Sequence, residues 1–347
     1  MKIVAGLGCI EDYIRLAKAG ADEVFCGYVP YEWNKRYGTL FPLNRREVMY
    51  YNVQIGSLED MKILKKMVDV YNVPVTVTFN YLYYLEEQYE FIESIMKDLI
   101  SIGFNEFIIA DPALILYLQK KKIKCSIHLS GECAEVNRFS IDFFNKFKNI
   151  SRYIFHRKNT IEDMESCITN NKEKSIEYEA FILNELCHYT GAFCSSLHCD
   201  EMSHLCKISY HMAKINTDIS HFKSVDKNLK NYFNEYNEED FLVDDEKEEY
   251  LQNYETEDYD DEIDTYKLGN TGCGLCSLKK LKKAGVTHLK VVGRGNHIDY
   301  MERDVRNLKK AINMLDNKEA CTDYCTKIKD NFFHGNCSGE CYYLLDK

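Results

Sequence analysis

Four thiolates gathered from separated loops are what an iron–sulfur cluster or a structural zinc ion requires, and this chain has cysteines to spare. The stretch Glu185–Met212 holds Cys187, Cys194, Cys199 and Cys206, and G-C-G-L-C at Gly272–Cys276 adds Cys273 and Cys276. Their spacing matches neither the ferredoxin runs nor a doubled C-x2-C zinc site, so the cysteines alone indicate a metal or a cluster and leave the choice open. A second set closes the chain. A-C-T-D-Y-C and N-C-S-G-E-C place Cys321, Cys325, Cys337 and Cys341 as two C-x3-C pairs. On a helix, residues four apart share a face, so Cys321 and Cys325 can present two thiolates together. The glycines around the second pair allow a tight turn about an ion. A second metal or cluster in the tail is the expectation. The alternatives are reduced, unliganded thiols, or Cys337 and Cys341 completing the first centre.

Fifteen cysteines in 347 residues read as metal ligands rather than disulfides in a long chain that opens without a cleavable signal's length. Cys9, Cys26, Cys125 and Cys167 lie inside apolar segments and read as plain core thiols. No apolar run is long enough to span a bilayer. A cytoplasmic protein with no membrane contact is expected.

Charge is unevenly placed. Residues 235–264 carry 16 acids and one lysine, a net −15, which leaves +4 for the rest of a chain whose total is −11. A mildly basic body can accept an anionic substrate, while the acidic segment reads as a solvated, partly disordered insertion.

The elements that must position these groups alternate regularly. Strands are expected at Lys2–Gly8, Asp22–Tyr28, Val73–Asn80, Phe107–Asp111, Lys124–Ser130, Ser151–Arg157, Ser175–Leu183 and His288–Val292, most of them followed by a helical pattern. S-L-E-D at Ser57, Pro112 and T-I-E-D at Thr160 mark helix starts. After the second strand only a loop with Arg45 and Arg46 is expected. Eight strand–helix units argue for a parallel (β/α)8, TIM-barrel-like fold, with a doubly wound open sheet as the competing architecture. The expected organisation is residues 1–206 for barrel strands one to seven and the first cluster loop, 207–270 for the acidic insertion, 271–316 for barrel closure and 317–347 for the Cys-rich tail.

In such a barrel chemistry sits at the C-terminal strand ends. There the sequence puts Asn80, Asp111, His128, Glu132, His156, Arg157 and Arg294, with Ser130 beside them. The same residues could merely cap neighbouring helices. G-x-S-x-G, H-E-x-x-H and the phosphate-loop motif are all absent from the sequence.

Taken in order, these segments resemble the U32 peptidase family. A-G-A-D-E-V-F-C-G (Ala19–Gly27), V-T-V-T-F-N ending at Asn80, I-I-A-D-P ending at Pro112, H-L-S-G-E-C-A-E-V-N (His128–Asn137), F-H-R (Phe155–Arg157), C-H-Y-T-G-A-F-C (Cys187–Cys194) and G-L-C…K-V-V-G-R (Gly274–Arg294) follow the family's own order. The resemblance implies a 4Fe–4S cluster on Cys187, Cys194, Cys206 and Cys276, with Cys199 and Cys273 as substitutes for a named ligand. The chain departs from the family at strand ends. Val292 stands for its glutamate, Ser130–Glu132 read S-G-E for S-T-Q, and His156–Lys158 read H-R-K for S-R-E. Barrel and cluster are therefore expected to carry over better than the substrate. The resemblance implies one of two activities, oxygen-independent hydroxylation of RNA or of a small aromatic acid, or peptide processing. A non-catalytic cluster-binding role with a partner protein is the third reading. Without a paired nucleophile and base, the residues favour the modifying enzyme.

Overall fold

The structure is a computed structural model that describes residues 1–38, 41–47, 53–133, 136–171, 173, 175–187, 266–316 and 324–343. Of the sequence expectations, the acidic insertion and Cys194, Cys199, Cys206 and Cys321 lie outside the described residues.

Nine strands form in parallel. They are β1 (Lys2–Leu7), β2 (Glu23–Tyr28), β3 (Gln54–Ile55), β4 (Val75–Phe79), β5 (Glu106–Ile109), β6 (Ser126–Leu129), β7 (Ile150–Ile154), β8 (Glu177–Leu183) and β9 (His288–Val291). All but β3 form one ring, in which β9 pairs with β1 (Lys2 opposite His288) and β1 with β2 (Val4 opposite Glu23). Each ring strand pairs with its sequence neighbours, and the ring closes into an eight-stranded parallel barrel of TIM type. The two-residue β3 is a short edge added beside Gly27 and Tyr28.

Helices surround the ring: α1 (Tyr13–Ala19), α2 (Tyr31–Tyr37), α3 (Leu58–Tyr71), α4 (Tyr89–Ser101), α5 (Pro112–Lys120), α6 (Arg138–Phe144), α7 (Ile161–Asn170), α8 (Leu278–Ala284), α9 (Ile298–Asp316) and α10 (Tyr324–Phe333). Their starts follow the sequence signals. Ser57 Oγ accepts the Asp60 N–H at 3.0 Å, and Thr160 and Asp163 cap each other at 3.1 and 3.0 Å. Each such cap is worth about 1 kcal/mol. The loop expected after β2 contains α2 and β3 instead. Trp33 explains the difference, because its fully buried indole anchors α2, packs tilted against Tyr37 with ring centroids 4.6 Å apart and donates Nε1–H to Phe41 O at 3.0 Å.

The barrel interior is not uniformly apolar. Its lower half holds a charged layer centred on Arg152 of β7. The guanidinium meets Glu23 at 2.8 Å, Glu177 at 2.7 Å and Glu179 at 3.0 Å. Lys290 joins Glu179 at 2.7 Å, and His288 Nε2 lies 3.1 Å from Glu23. Burial would raise the Glu179 carboxyl, but Lys290 and Arg152 prevail and hold it down at about 2. Outside the ring, apolar side chains of the strands and helices pack into one continuous core.

Candidate functional site

The loops that follow the strands build a cation-rich mouth. Arg294, two residues past Val292, turns back into the barrel. There its Nη1 donates to Thr78 Oγ1 at 3.3 Å. The space it occupies is left by glycine. A Cβ on Gly27 would sit 2.5 Å from Arg294 Nη1, and one on Gly6 would meet Arg294 N at 3.1 Å. The glycine that ends A-D-E-V-F-C-G is therefore explained by an arginine that follows it by 267 positions. Burial pulls Arg294 down to about 10, with Arg46 adding to the effect.

Glu132, in the turn after β6, ties the other groups together. Arg157 Nη1 donates to its Oε1 at 3.0 Å and Arg45 Nε lies 3.7 Å from its Oε2. Burial would raise the Glu132 carboxyl, but the two guanidiniums keep it below the usual range. Arg157 also lies 4.1 Å over the Phe181 ring, and among the described residues its buried Nε has no partner. Asn80 joins the group through its Oδ1, which accepts the Arg45 backbone N–H at 3.1 Å. Gly131 lets the turn press on β7, since a Cβ there would lie 2.9 Å from Phe155 O. The S-G-E departure from the family's S-T-Q thus has a steric reason.

Sequence reading missed three further residues of the mouth. Asn44 is fully buried and meets the Glu47 carboxyl through its backbone N–H and its side-chain amide. Glu47 is buried beside it, and burial pushes its carboxyl up to about 8, so it is protonated at neutral pH. Glu185 pairs with Arg46 at 2.6 Å from a turn in which Asn184 and Glu185 both take positive φ, 68° and 51°. R-R-E at Arg45–Glu47 was the available signal, but it lay in an expected loop.

Asp111, His128 and His156 play other parts. Asp111 caps α5, accepting Ala113 N–H at 2.8 Å, and also receives the Tyr89 hydroxyl at 3.0 Å. His128 does not reach the rim expected for it. It points into the barrel toward the charged layer, 4.0 Å from Glu106 at the opposite end of β5, and burial pulls it down to about 3. His156 lies near Glu132, but its Nδ1 accepts the Lys158 N–H at 3.1 Å and burial holds it neutral, down to about 4. Beside the mouth, Phe41, Tyr81 and Tyr83 line a shallow cleft.

The tail is not a frayed appendage. Tyr342 and Tyr343 are buried, Tyr343 OH donates to Phe181 O at 2.7 Å, and Tyr342 donates to Asn184 O. Of the four thiols implied for the iron–sulfur cluster, Cys187 and Cys276 are described. Cys187 lies near Arg157 and Tyr342, whereas the Cys276 thiol hydrogen-bonds to Cys325 and lies near Cys273 and Cys337. As soft, partly buried sulfur donors they fit a thiophilic centre, although among the described residues no three side chains are already grouped as metal ligands.

A closed parallel barrel with a polar, arginine-lined mouth at its C-terminal end defines the class. The sequence profile of Peptidase family U32 matches residues 8–346, and the chain belongs to that family. It is similar to the tRNA hydroxylation protein P of Escherichia coli K12, at 24% identity over 315 residues, covering 84% of this chain and 63% of that protein. The chain thus spans less than two thirds of that relative. Among solved structures, the U32 peptidase Mk0906 superposes with a TM-score of 0.42 at 11% identity, covering 56% of this chain and 73% of the other. A structure described as native KDPGal gives 0.41 at 8%, covering 90% and 95%. Among the described residues no helix is long and apolar enough to cross a membrane.

Proposed function

We propose that this protein is an RNA-modifying enzyme of the oxygen-independent hydroxylation type. The observation that carries the reading is the excess of positive charge at the barrel mouth. Arg45, Arg46, Arg157 and Arg294 converge there against only two ionised carboxylates, Glu132 shared by Arg157 and Arg45 and Glu185 paired with Arg46, while Glu47 is protonated at neutral pH. Such a mouth suits a phosphate backbone. The rings of Phe41, Tyr81 and Tyr83 offer a stacking surface for an unpaired base. The tRNA-directed name of the relative supports the same substrate class.

Hydroxylation replaces C–H by C–OH. With water as oxygen source, C–H and H2O become C–OH, two protons and two electrons, and the electrons must pass one at a time to an external electron acceptor; with a hydroxylated organic donor, the donor's C–OH becomes C–H as the substrate's C–H becomes C–OH, and no external oxidant is needed. A 4Fe–4S cluster on the family's thiols, Cys187, Cys194, Cys206 and Cys276, would supply one-electron redox chemistry. The chain's own groups would bind and orient. Arg157 and Arg45 hold backbone phosphates, Arg294 floors the mouth, and the Arg157 Nε–H, unpartnered among the described residues, is a donor available to a base edge. Peptide hydrolysis fits less well. The Ser130 hydroxyl accepts the Glu132 N–H at 3.2 Å, and His156 is bound to its own loop.

Fluorescence anisotropy with a tRNA transcript tests the binding step. Binding should weaken with salt, and Arg157→Gln and Arg45→Gln should each lower the slope of log Kd on log salt by roughly one. Thermal melts confirm that the variants fold. Binding that neither variant alters, or that is no stronger than binding of an acidic peptide, contradicts the proposal.

A further inference from the structure

The outer face of α6 carries aromatic rings left in solvent. α6 starts six positions after Glu132 of the mouth and returns down the barrel wall, so its first turn lies near the mouth and the residues after it near the opposite rim. Phe139 and Phe143, four apart, share the helix face turned outward and are 73% and 46% exposed, whereas Ile141 and Phe144 are buried beneath them. The two exposed rings stand one turn apart, about 6 Å along the axis. Phe147 continues the row, its ring 5.5 Å from that of Phe143. Single exposed apolar side chains are ordinary on a protein surface; rings gathered on one helix face call for a partner.

Each exposed ring has a cation beside it. The Arg138 guanidinium lies 5.0 Å from the centre of the Phe139 ring, and Lys146 Nζ lies 5.5 Å from that of Phe143. Among the described residues neither cation reaches a carboxylate, and Asp142 is the one acid of α6. Positive charge continues to the lower rim. Lys148 precedes β7 and Lys124 precedes β6, each by two positions. The register that sets Ile127 opposite Ile150 brings these two entries side by side, about 5 Å apart. Both lysines are exposed, and Lys122 is exposed beside Lys124. The other flank differs, since α7 exposes Glu162 and Glu165. The basic track therefore follows α6 on its α5 side.

Exposed rings interleaved with unpaired cations suit a single nucleic-acid strand, whose phosphates take the charge and whose bases stack on the rings. The spacing of the two rings exceeds the roughly 3.4 Å step of stacked bases, so the face fits a strand with its bases splayed apart. We propose that the outer face of α6 is a second contact surface for RNA, taking the strand that leaves the mouth beside Glu132 and leading it down the barrel wall toward Lys148 and Lys124. The inference rests on the RNA reading of the mouth and extends it from the modified base to the nucleotides that flank it. Arg138 and Lys146 hold phosphates, and Phe139 and Phe143 each take a base. The contact lies outside the barrel, so it adds affinity and sets the direction of the strand without touching the mouth's own groups.

The test is an anisotropy titration of a fluorescent tRNA transcript with the full chain. Phe139→Ala/Phe143→Ala should raise Kd by about tenfold or more. Lys146→Gln/Lys148→Gln should lower the slope of log Kd on log salt by roughly 1.4, as two contacts to a single strand require. Ile63→Ala/Val70→Ala removes two exposed apolar side chains from α3 and should change neither quantity. Crosslinking of the wild type to tRNA carrying 4-thiouridine gives an answer even where a variant fails to fold, and the crosslinked peptides should include residues 138–148. A wild type that binds no tRNA refutes the RNA reading and this surface with it. Wild-type binding that the α6 variants leave at the control's value overturns this surface alone, as does a crosslink map that omits 138–148. Wild-type binding to phosphatidylserine vesicles that the α6 variants abolish, while tRNA binding holds, assigns the face to a membrane and likewise overturns the proposal.

Discussion

Replacing Glu47 by Gln should raise stability at neutral pH and remove a slope from the pH profile. The Glu47 carboxyl is 6% exposed and lies beside the Arg294 guanidinium. It accepts N–H groups from Asn44 and Leu43, yet burial outweighs them and lifts it from 4.5 to about 8. Between those two values the unfolded chain has lost the proton and the folded chain keeps it. The folded state therefore binds one more proton, and stability falls by about 1.4 kcal/mol for each pH unit of increase. This group's contribution is complete below pH 4.5 and is lost as pH rises toward 8. By neutral pH the loss is roughly 3 kcal/mol. Glutamine keeps an acceptor for the Asn44 N–H and has no proton to lose. Urea unfolding of both proteins, run in steps from pH 4.5 to pH 8, isolates the effect, because every other titrating group cancels in the difference. Glu47→Gln should gain on the wild type steadily across the window. Parallel curves would refute the claim that Glu47 is protonated when folded.

The charged layer makes a second expectation. Arg152→Met removes from buried Glu23 and Glu179 the guanidinium they share and should cost roughly 3–5 kcal/mol by urea unfolding; a loss under 1 kcal/mol would mean that the layer is solvated. His128 and His156, held down to about 3 and about 4 from 6.5, contribute stability that is present above pH 6.5 and lost as pH falls through those values. His128→Gln should therefore flatten the acid limb of the stability profile by about 1.4 kcal/mol per unit, and an unchanged limb would count against its burial as the neutral form. Gly27→Ala places a methyl group 2.5 Å from Arg294 Nη1, so it should cost about 1–3 kcal/mol and weaken tRNA binding; unchanged anisotropy curves would remove Arg294 from the mouth. Gly131→Thr, which restores the family's residue, should lower the melting temperature, since its Cβ meets backbone rather than a flexible side chain.

Much of the barrel could be read in the sequence because its strands are short β-branched and aromatic runs between capped helices. V-P-V-T-V-T-F-N alternates as a strand does, and F-I-I-A-D is a continuous apolar run too short for a helix and stopped by Pro112 at the start of the next one. What could not be read depends on closure of the ring. Glu23 lies near the start of one expected strand and Lys290 inside another, and only the closed ring links them through Arg152 and Glu179. His128 looked like a rim residue because it is one position from the end of β6, and the pleat turns it inward instead. The mouth was half legible. Glu132, Arg157, Arg294 and Asn80 fall at strand ends as expected, whereas Asn44 and Glu47 reach it from a loop without periodicity. Cys273 was visible as a thiol, but the tail residue it bridges, Cys341, is 68 positions away, and only the backbone bonds, Cys273 N–H to Glu340 O at 2.7 Å and Tyr342 N–H to Cys273 O at 2.9 Å, reveal the meeting.

Nucleoside mass spectrometry tests the central claim most directly. RNA from cells that make this protein is compared with RNA from cells lacking its gene, and with RNA from cells carrying Arg157→Gln. The account predicts one tRNA nucleoside that is heavier by a single oxygen atom in the first sample, absent from the second and depleted in the third. An identical set of nucleosides in all three, alongside a peptide that accumulates when the gene is removed, would contradict it.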